Sequence, residues 1–68
     1  MTMNIQLNGE SIEVADNAKL MRLVELLALE GKRYAIEVNE DIVPRSEHST
    51  FALTSNDKVE VVQAIGGG

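Results

Sequence analysis

Asn8-Gly9 stands between two segments that alternate apolar and polar residues with a period of two, and this constrains the fold more than any other feature of the chain. Met3-Asn4-Ile5-Gln6-Leu7 precedes it and Glu10-Ser11-Ile12-Glu13-Val14 follows. Period-two alternation marks a strand with one buried face. An Asn-Gly pair readily supplies the two consecutive positive φ angles of a type I′ turn, whose twist matches that of the flanking strands. The spacing therefore predicts a β-hairpin over about residues 3–14, with Ile12 and Val14 on one face.

The remainder reads as one helix and three strands. Asp16-Asn17 offers a polar helix start, with either residue able to cap. From Lys19 to Glu30, Leu20, Leu23, Val24 and Leu27 recur at i, i+3, i+4 and i+7, a single apolar stripe. Gly31 is placed to close the helix as a left-handed C′ residue, with Lys32 and Arg33 near the negative end of the dipole. Tyr34-Ala35-Ile36-Glu37-Val38 predicts a third strand with Ile36 and Val38 inward. Asn39-Glu40-Asp41 is turn chemistry, and Ile42-Val43 a short fourth strand ended by Pro44, which lacks the N–H that a ladder needs. Arg45–Thr50 is a polar loop with room for a 3₁₀ turn, and Phe51-Ala52-Leu53 anchors it. Lys58–Ala64 is the last strand.

The order ββαβββ gives a mixed sheet with the helix on one face. The valine-rich last strand belongs in the centre, parallel to the first, because buried parallel strands are rich in Val and Ile. This is the ubiquitin-like β-grasp: an α+β fold with a mixed sheet of about five strands and one main helix. Residues 1–64 form the domain and 65–68 a glycine tail. Val59 and Val61 are expected to face the helix, leaving Val62 and Ala64 on the open face beside the tail as a docking patch, with Ile65 next to them.

Composition limits what such a domain can do. The chain has 68 residues and no cysteine, so neither a disulfide nor thiolate-bound zinc can brace it. One histidine, His48, leaves no cluster for a metal, so no metal site is expected. Aromatic residues make up only 3%, so the core must be aliphatic. The formal net charge of −5 disfavours nucleic acid and anionic membranes as partners and favours a partner with a basic docking face. No charged-then-apolar leader and no apolar run of ~20 residues is present, which leads to the expectation of a soluble cytoplasmic protein, monomeric when free. A lone histidine in a polar loop makes no catalytic triad, and no glycine run is followed by the Lys-Ser/Thr of a phosphate loop. The chain is not expected to be an enzyme.

The reactive chemistry lies at Gly66-Gly67-Gly68. A terminal glycine run also fits a frayed or appended end. Read functionally, it puts an α-carboxylate on an unbranched arm that can enter a narrow site on another protein. From Ile65 to Gly68 the arm spans at most ~14 Å, at ~3.3–3.6 Å per residue. A carboxylate is a competent nucleophile toward the α-phosphorus of ATP, and the resulting acyl-adenylate accepts a sulfur nucleophile. Gly68 is the candidate adenylation and thiocarboxylate site. Gly66 and Gly67 give access because no Cβ obstructs the carbonyl carbon.

Val38-Asn39, Ile42-Val43-Pro44-Arg45, Asp57-Lys58-Val59-Glu60-Val61-Val62 and Ala64-Ile65-Gly66-Gly67-Gly68 together resemble the ThiS family, the sulfur carriers of thiamine biosynthesis, and the likeness extends over essentially the whole chain. The Val-Asn…Val-Pro-Arg segment combined with a C-terminal Gly-Gly is far more specific than Gly-Gly alone. Lys19 departs from the pattern, since the family often has a Thr or Ser helix cap there. The resemblance implies that a ThiF-like enzyme adenylates Gly68 with ATP, the carrier itself binding no cofactor. It implies that a cysteine desulfurase or other donor supplies sulfur, and that the thiocarboxylate is delivered to a ThiG-like thiazole synthase. Arg45 enters as a partner-docking residue, against the plain alternative of an exposed charge. Two other readings stand beside this one: a MoaD-like small subunit of molybdopterin synthase, and a ubiquitin-like protein modifier.

Overall fold

A computed structural model describes residues 1–63. The glycine tail and its approach, residues 64–68, lie outside the described residues, and with them Ala64, Ile65, Gly66, Gly67 and Gly68. The elements are β1 (Thr2–Leu7), β2 (Glu10–Ala15), α1 (Leu20–Leu26), β3 (Tyr34–Val38), β4 (Asp41–Val43), a 3₁₀ turn (Arg45–Glu47) and β5 (Lys58–Gln63). They form one mixed sheet in the order β2-β1-β5-β3-β4. Asn8 and Gly9 have φ of 49° and 86°, as a type I′ turn requires, and Leu7 faces Glu10 across it. The central strand is β5, parallel to β1 and antiparallel to β3. The ubiquitin-like β-grasp read from the element order is the fold observed.

One aliphatic core fills the space between helix and sheet. Leu20, Leu23 and Val24 from α1 meet Ile5, Val14, Ile36, Val38, Val43 and Val59 from the five strands, and Ala18, Leu29 and Leu53 close its edges. Val61 packs against this cluster only half-buried, and Val62 points away from it.

The helix departs from expectation at both ends. Neither Asp16 nor Asn17 caps it; Lys19 is the N-cap and contributes no side-chain hydrogen bond. The first free N–H groups are satisfied by a distant loop: Leu20 donates to the Phe51 carbonyl and Met21 to the His48 carbonyl, each at 2.9 Å. At the other end α1 stops at Leu26, well short of Gly31. Leu29 donates to the Val24 carbonyl and Ala28 to that of Glu25, the paired bonds of a Schellman motif. Ala28 holds the left-handed position with φ of 54°. The helix ends early because Leu29 turns back into the core beside Val24, and burying a leucine is worth ~1.5–3 kcal/mol. That exceeds the ~1–2 kcal/mol cost of a left-handed alanine. Leu27, expected on the inner stripe, is consequently 40% exposed, and Gly31, also at positive φ, serves the following turn instead.

Polar side chains brace the turns at the other end of the sheet. Asp57 is buried and accepts hydrogen bonds from the Thr54 N–H (2.8 Å), the Thr54 hydroxyl (2.8 Å) and the Asn39 amide (3.0 Å). Asn39 in turn accepts from the Lys58 N–H, tying the β3–β4 turn to the start of β5. Burial alone would push the Asp57 carboxyl up; the three donors outweigh it and hold the group below its ordinary value.

Three outcomes follow from this packing. Leu23→Ala should cost about 3 kcal/mol in thermal or urea unfolding, and Val61→Ala nearer to 1 kcal/mol because its site is half-open. Ala28→Gly should raise stability by about 0.5 kcal/mol, the relief of a left-handed alanine less the added freedom of the unfolded chain; a lowered melt would show that the C′ position is unstrained. Asp57→Ala should cost about 2 kcal/mol at neutral pH. Since the folded-state carboxyl titrates lower than the unfolded one, Asp57 stabilises above the unfolded value and loses this as pH falls through the folded value. The difference between parent and Asp57→Ala should therefore narrow in urea melts run below pH ~4.

Candidate functional site

Gln63 is the last described residue before the glycine arm, so the site can be followed to its root. In β5, Gln63 pairs with Tyr34 and Val62 with Ala35. Val62 is 62% exposed and lies on the sheet face away from α1, where the sequence placed it. With Arg33, Tyr34, Ala35 and Gln63 it lines a shallow depression of about 320 Å³. Ile42 is the other large exposed aliphatic residue on this face, one strand beyond β3, and is 68% exposed. Ala64 and Ile65, read as docking residues with Val62, lie outside the described residues.

Arg45 stands next to this root. Its guanidinium carbon is 4.0 Å from the centroid of the Tyr34 ring, a cation–π stack, and its Nη2 donates to the Lys32 carbonyl at 2.6 Å. Pro44 ends β4 and starts the 3₁₀ turn that carries Arg45 back over β3. The structure thus brings Arg45 and Val62 to the same end of the sheet, each within reach of the first residues of β3.

Three contributors were not legible as site residues. Tyr34 is one of two aromatic residues in the chain; it supports Arg45 on one side and packs at 5.9 Å between ring centroids against His48 on the other. His48, read as part of a polar loop, is instead only 1% exposed. Its Nε2–H donates to the Val43 carbonyl at 2.9 Å, and its own carbonyl accepts from α1, so it fastens the loop to both β4 and the helix. Asn8, read only as turn chemistry, also reaches β5. Its N–H donates to the Val59 carbonyl at 2.9 Å and its Oδ1 accepts from the Val61 N–H at 2.8 Å. A sequence signal existed for Tyr34 alone, as a large ring in register with the end of the last strand.

Among the described residues no group of three or more His, Cys, Asp or Glu could hold a metal ion. Among the described residues, no helix is long and apolar enough to cross a membrane. A larger open cleft, about 600 Å³, lies between β2 and α1 at the opposite end from Gln63, and its cations Lys19 and Arg22 are accompanied by Glu13 and Glu25. What the arrangement offers is a rigid strand end, flanked by a cation and an exposed aliphatic face.

Comparison with known proteins agrees with this architecture. The crystal structure of the thiamine biosynthesis protein ThiS from Geobacter metallireducens superposes with a TM-score of 0.79 at 25% identity, covering 97% of this chain and all of that one. The sulfur carrier protein ThiS of Bacillus subtilis is 29% identical over 65 residues, 94% of this chain and 98% of the relative. A thiazole synthase of Paramagnetospirillum magneticum is 33% identical over 66 residues, 97% of this chain but 20% of the relative, so the present chain spans only a fifth of that protein. The model of the ThiS family matches residues 5–68, from the first strand through the last glycine, and the chain belongs to that family.

Proposed function

We propose that this protein is the sulfur carrier for the thiazole half of thiamine, with the carboxylate of Gly68 as the group that carries sulfur. The observation that bears most weight is the family match, which runs unbroken through the three glycines at the end of a central strand. A second supports the choice of acceptor: a thiazole synthase contains a segment similar to this whole chain within its own sequence, which is what a carrier that works beside such an enzyme would lead one to expect.

The chemistry is as follows. A ThiF-like enzyme presents ATP to the Gly68 carboxylate, whose oxygen attacks the α-phosphorus. Pyrophosphate leaves and an acyl-adenylate forms. A persulfide sulfur, loaded by a cysteine desulfurase or another donor, attacks the carbonyl carbon and expels AMP. A thiol then reduces the resulting acyl disulfide, releasing the thiocarboxylate with a disulfide as the oxidised product. A ThiG-like thiazole synthase takes the sulfur and the carboxylate is regenerated. The catalytic groups belong to the partner enzymes. This chain contributes the nucleophile, an arm without side chains to obstruct it, and a folded body to be gripped. Ordering each arm residue costs roughly 1–2 kcal/mol, which favours release from one enzyme before the next is visited.

Intact-mass measurement after co-expression with the ThiF-like enzyme and a sulfur donor should show one oxygen replaced by one sulfur. Extending the chain by one residue after Gly68, or amidating Gly68, should abolish that change and leave the thermal melt unaltered. Sulfur incorporation into the blocked protein would refute the carrier reading, and branched conjugates to lysine would identify a modifier instead.

A further inference from the structure

Half of the chain's cations are gathered at the end of the sheet where the arm is rooted. Lys32 and Arg33 immediately precede β3, and Arg45 follows β4 by two residues. All three are exposed. Because Tyr34 is paired with Gln63, they form a collar beside the last described residue of β5. Arg33 borders the same depression as Val62 and Gln63. Arg45 is held against the Tyr34 ring and the Lys32 carbonyl, so its charge is fixed in place. The stretches 31–35, 43–46 and 61–63 contain these three cations and no carboxylate, whereas the other three cations share the remaining surface with all eleven carboxylates. Exposed Glu30, Glu47 and Glu60 border these stretches, so in a chain of net charge −5 this end holds half of the cations beside a smaller share of the carboxylates.

We infer that this collar docks on an acidic rim: Asp and Glu side chains surrounding the channel through which a partner enzyme admits the glycine arm. The inference rests on the carrier reading above and extends it to the chemistry of the partner's surface. The arm has no charged side chain with which to orient an encounter. A basic partner face would attract the acidic body in many orientations. An acidic rim repels the body and attracts the collar, so the arm's end leads. Exposed charges of this kind act on the association rate and its salt dependence more than on the lifetime of the complex.

The test uses the full chain carrying Lys32→Glu and Arg33→Glu together. Both residues are exposed, and the bond that Arg45 makes at Lys32 is to the backbone, so it survives the change. Association with the ThiF-like enzyme is followed by stopped flow across a range of salt, with pyrophosphate release at saturating carrier and a thermal melt as separate readouts. For the parent chain, raising NaCl from roughly 50 to 500 mM should slow association about ten-fold, since the screening length shortens over this range. The double variant should associate about ten-fold more slowly at low salt and lose that salt dependence. Its melt and its saturated pyrophosphate release should match the parent. Parent-like or faster association of the double variant would overturn the acidic rim. Failure of the parent chain itself to release pyrophosphate would overturn the carrier reading, and the collar with it; that outcome is distinct from the first.

Discussion

The pairing of β5 with β1 is the constraint on which the rest of the molecule depends. Gln6 faces Lys58 and Leu7 faces Val59, residues more than fifty positions apart. Two parallel strands cannot be joined by a turn, so the chain between them must form a crossover. Here the crossover carries the helix and the β3–β4 hairpin, and β5 is then inserted between β1 and β3. Val59 is fully buried as a result. Pairing with β3 continues to Gln63, so the chain is held by the sheet through the last described residue.

A domain of this size without disulfides has few means of fixing its connections. In this chain, hydrogen bonds from residues distant in sequence supply much of that fixing. Asn8 extends the β1 side of the central strand by accepting from Val61. Asp57, Asn39 and Thr54 close the opposite end. His48 and Phe51 give their carbonyls to the first turn of a helix only seven residues long. So short a helix is not stable by itself and depends on the buried stripe and these borrowed acceptors. Three asparagines adopt positive φ, a conformation they tolerate better than most residues, while Ala28 and Glu40 adopt it because their neighbours in the fold require it.

The site follows from the same organisation. The ThiS family match runs through the glycines, and the folded body holds the strand that leads toward them. β5 is the central strand of the five, paired on one edge with β1 and on the other with β3. The residues that distinguish its far end, Arg45 on Tyr34 and the exposed Val62 beside Ala35, come from the 3₁₀ turn after β4, from β3 and from β5, and are brought together by that turn and the sheet register.

The hairpin, the central place of the last strand parallel to the first, and the aliphatic core were legible in the sequence, because each has a local signal: a period of two, an Asn-Gly turn, a valine-rich strand, few aromatic residues. Even the open-face position of Val62 follows from alternation along its own strand. The helix ends were not legible, because they are decided elsewhere. The burial of Leu29 ended α1 at Leu26 and left Leu27 in solvent, although the apolar spacing continued; carbonyls from residues 48 and 51 replaced the expected Asp16 or Asn17 cap. His48 read as a polar loop residue because its neighbours are polar, and only the folding of that loop onto β4 buried it. The sequence by itself determined which segments become strands and which two are joined by a tight turn, since periodicity and turn chemistry are properties of adjacent residues. Only the tertiary structure decided which cations stand beside the arm's root and where the helix stops, since those depend on energies between groups far apart along the chain.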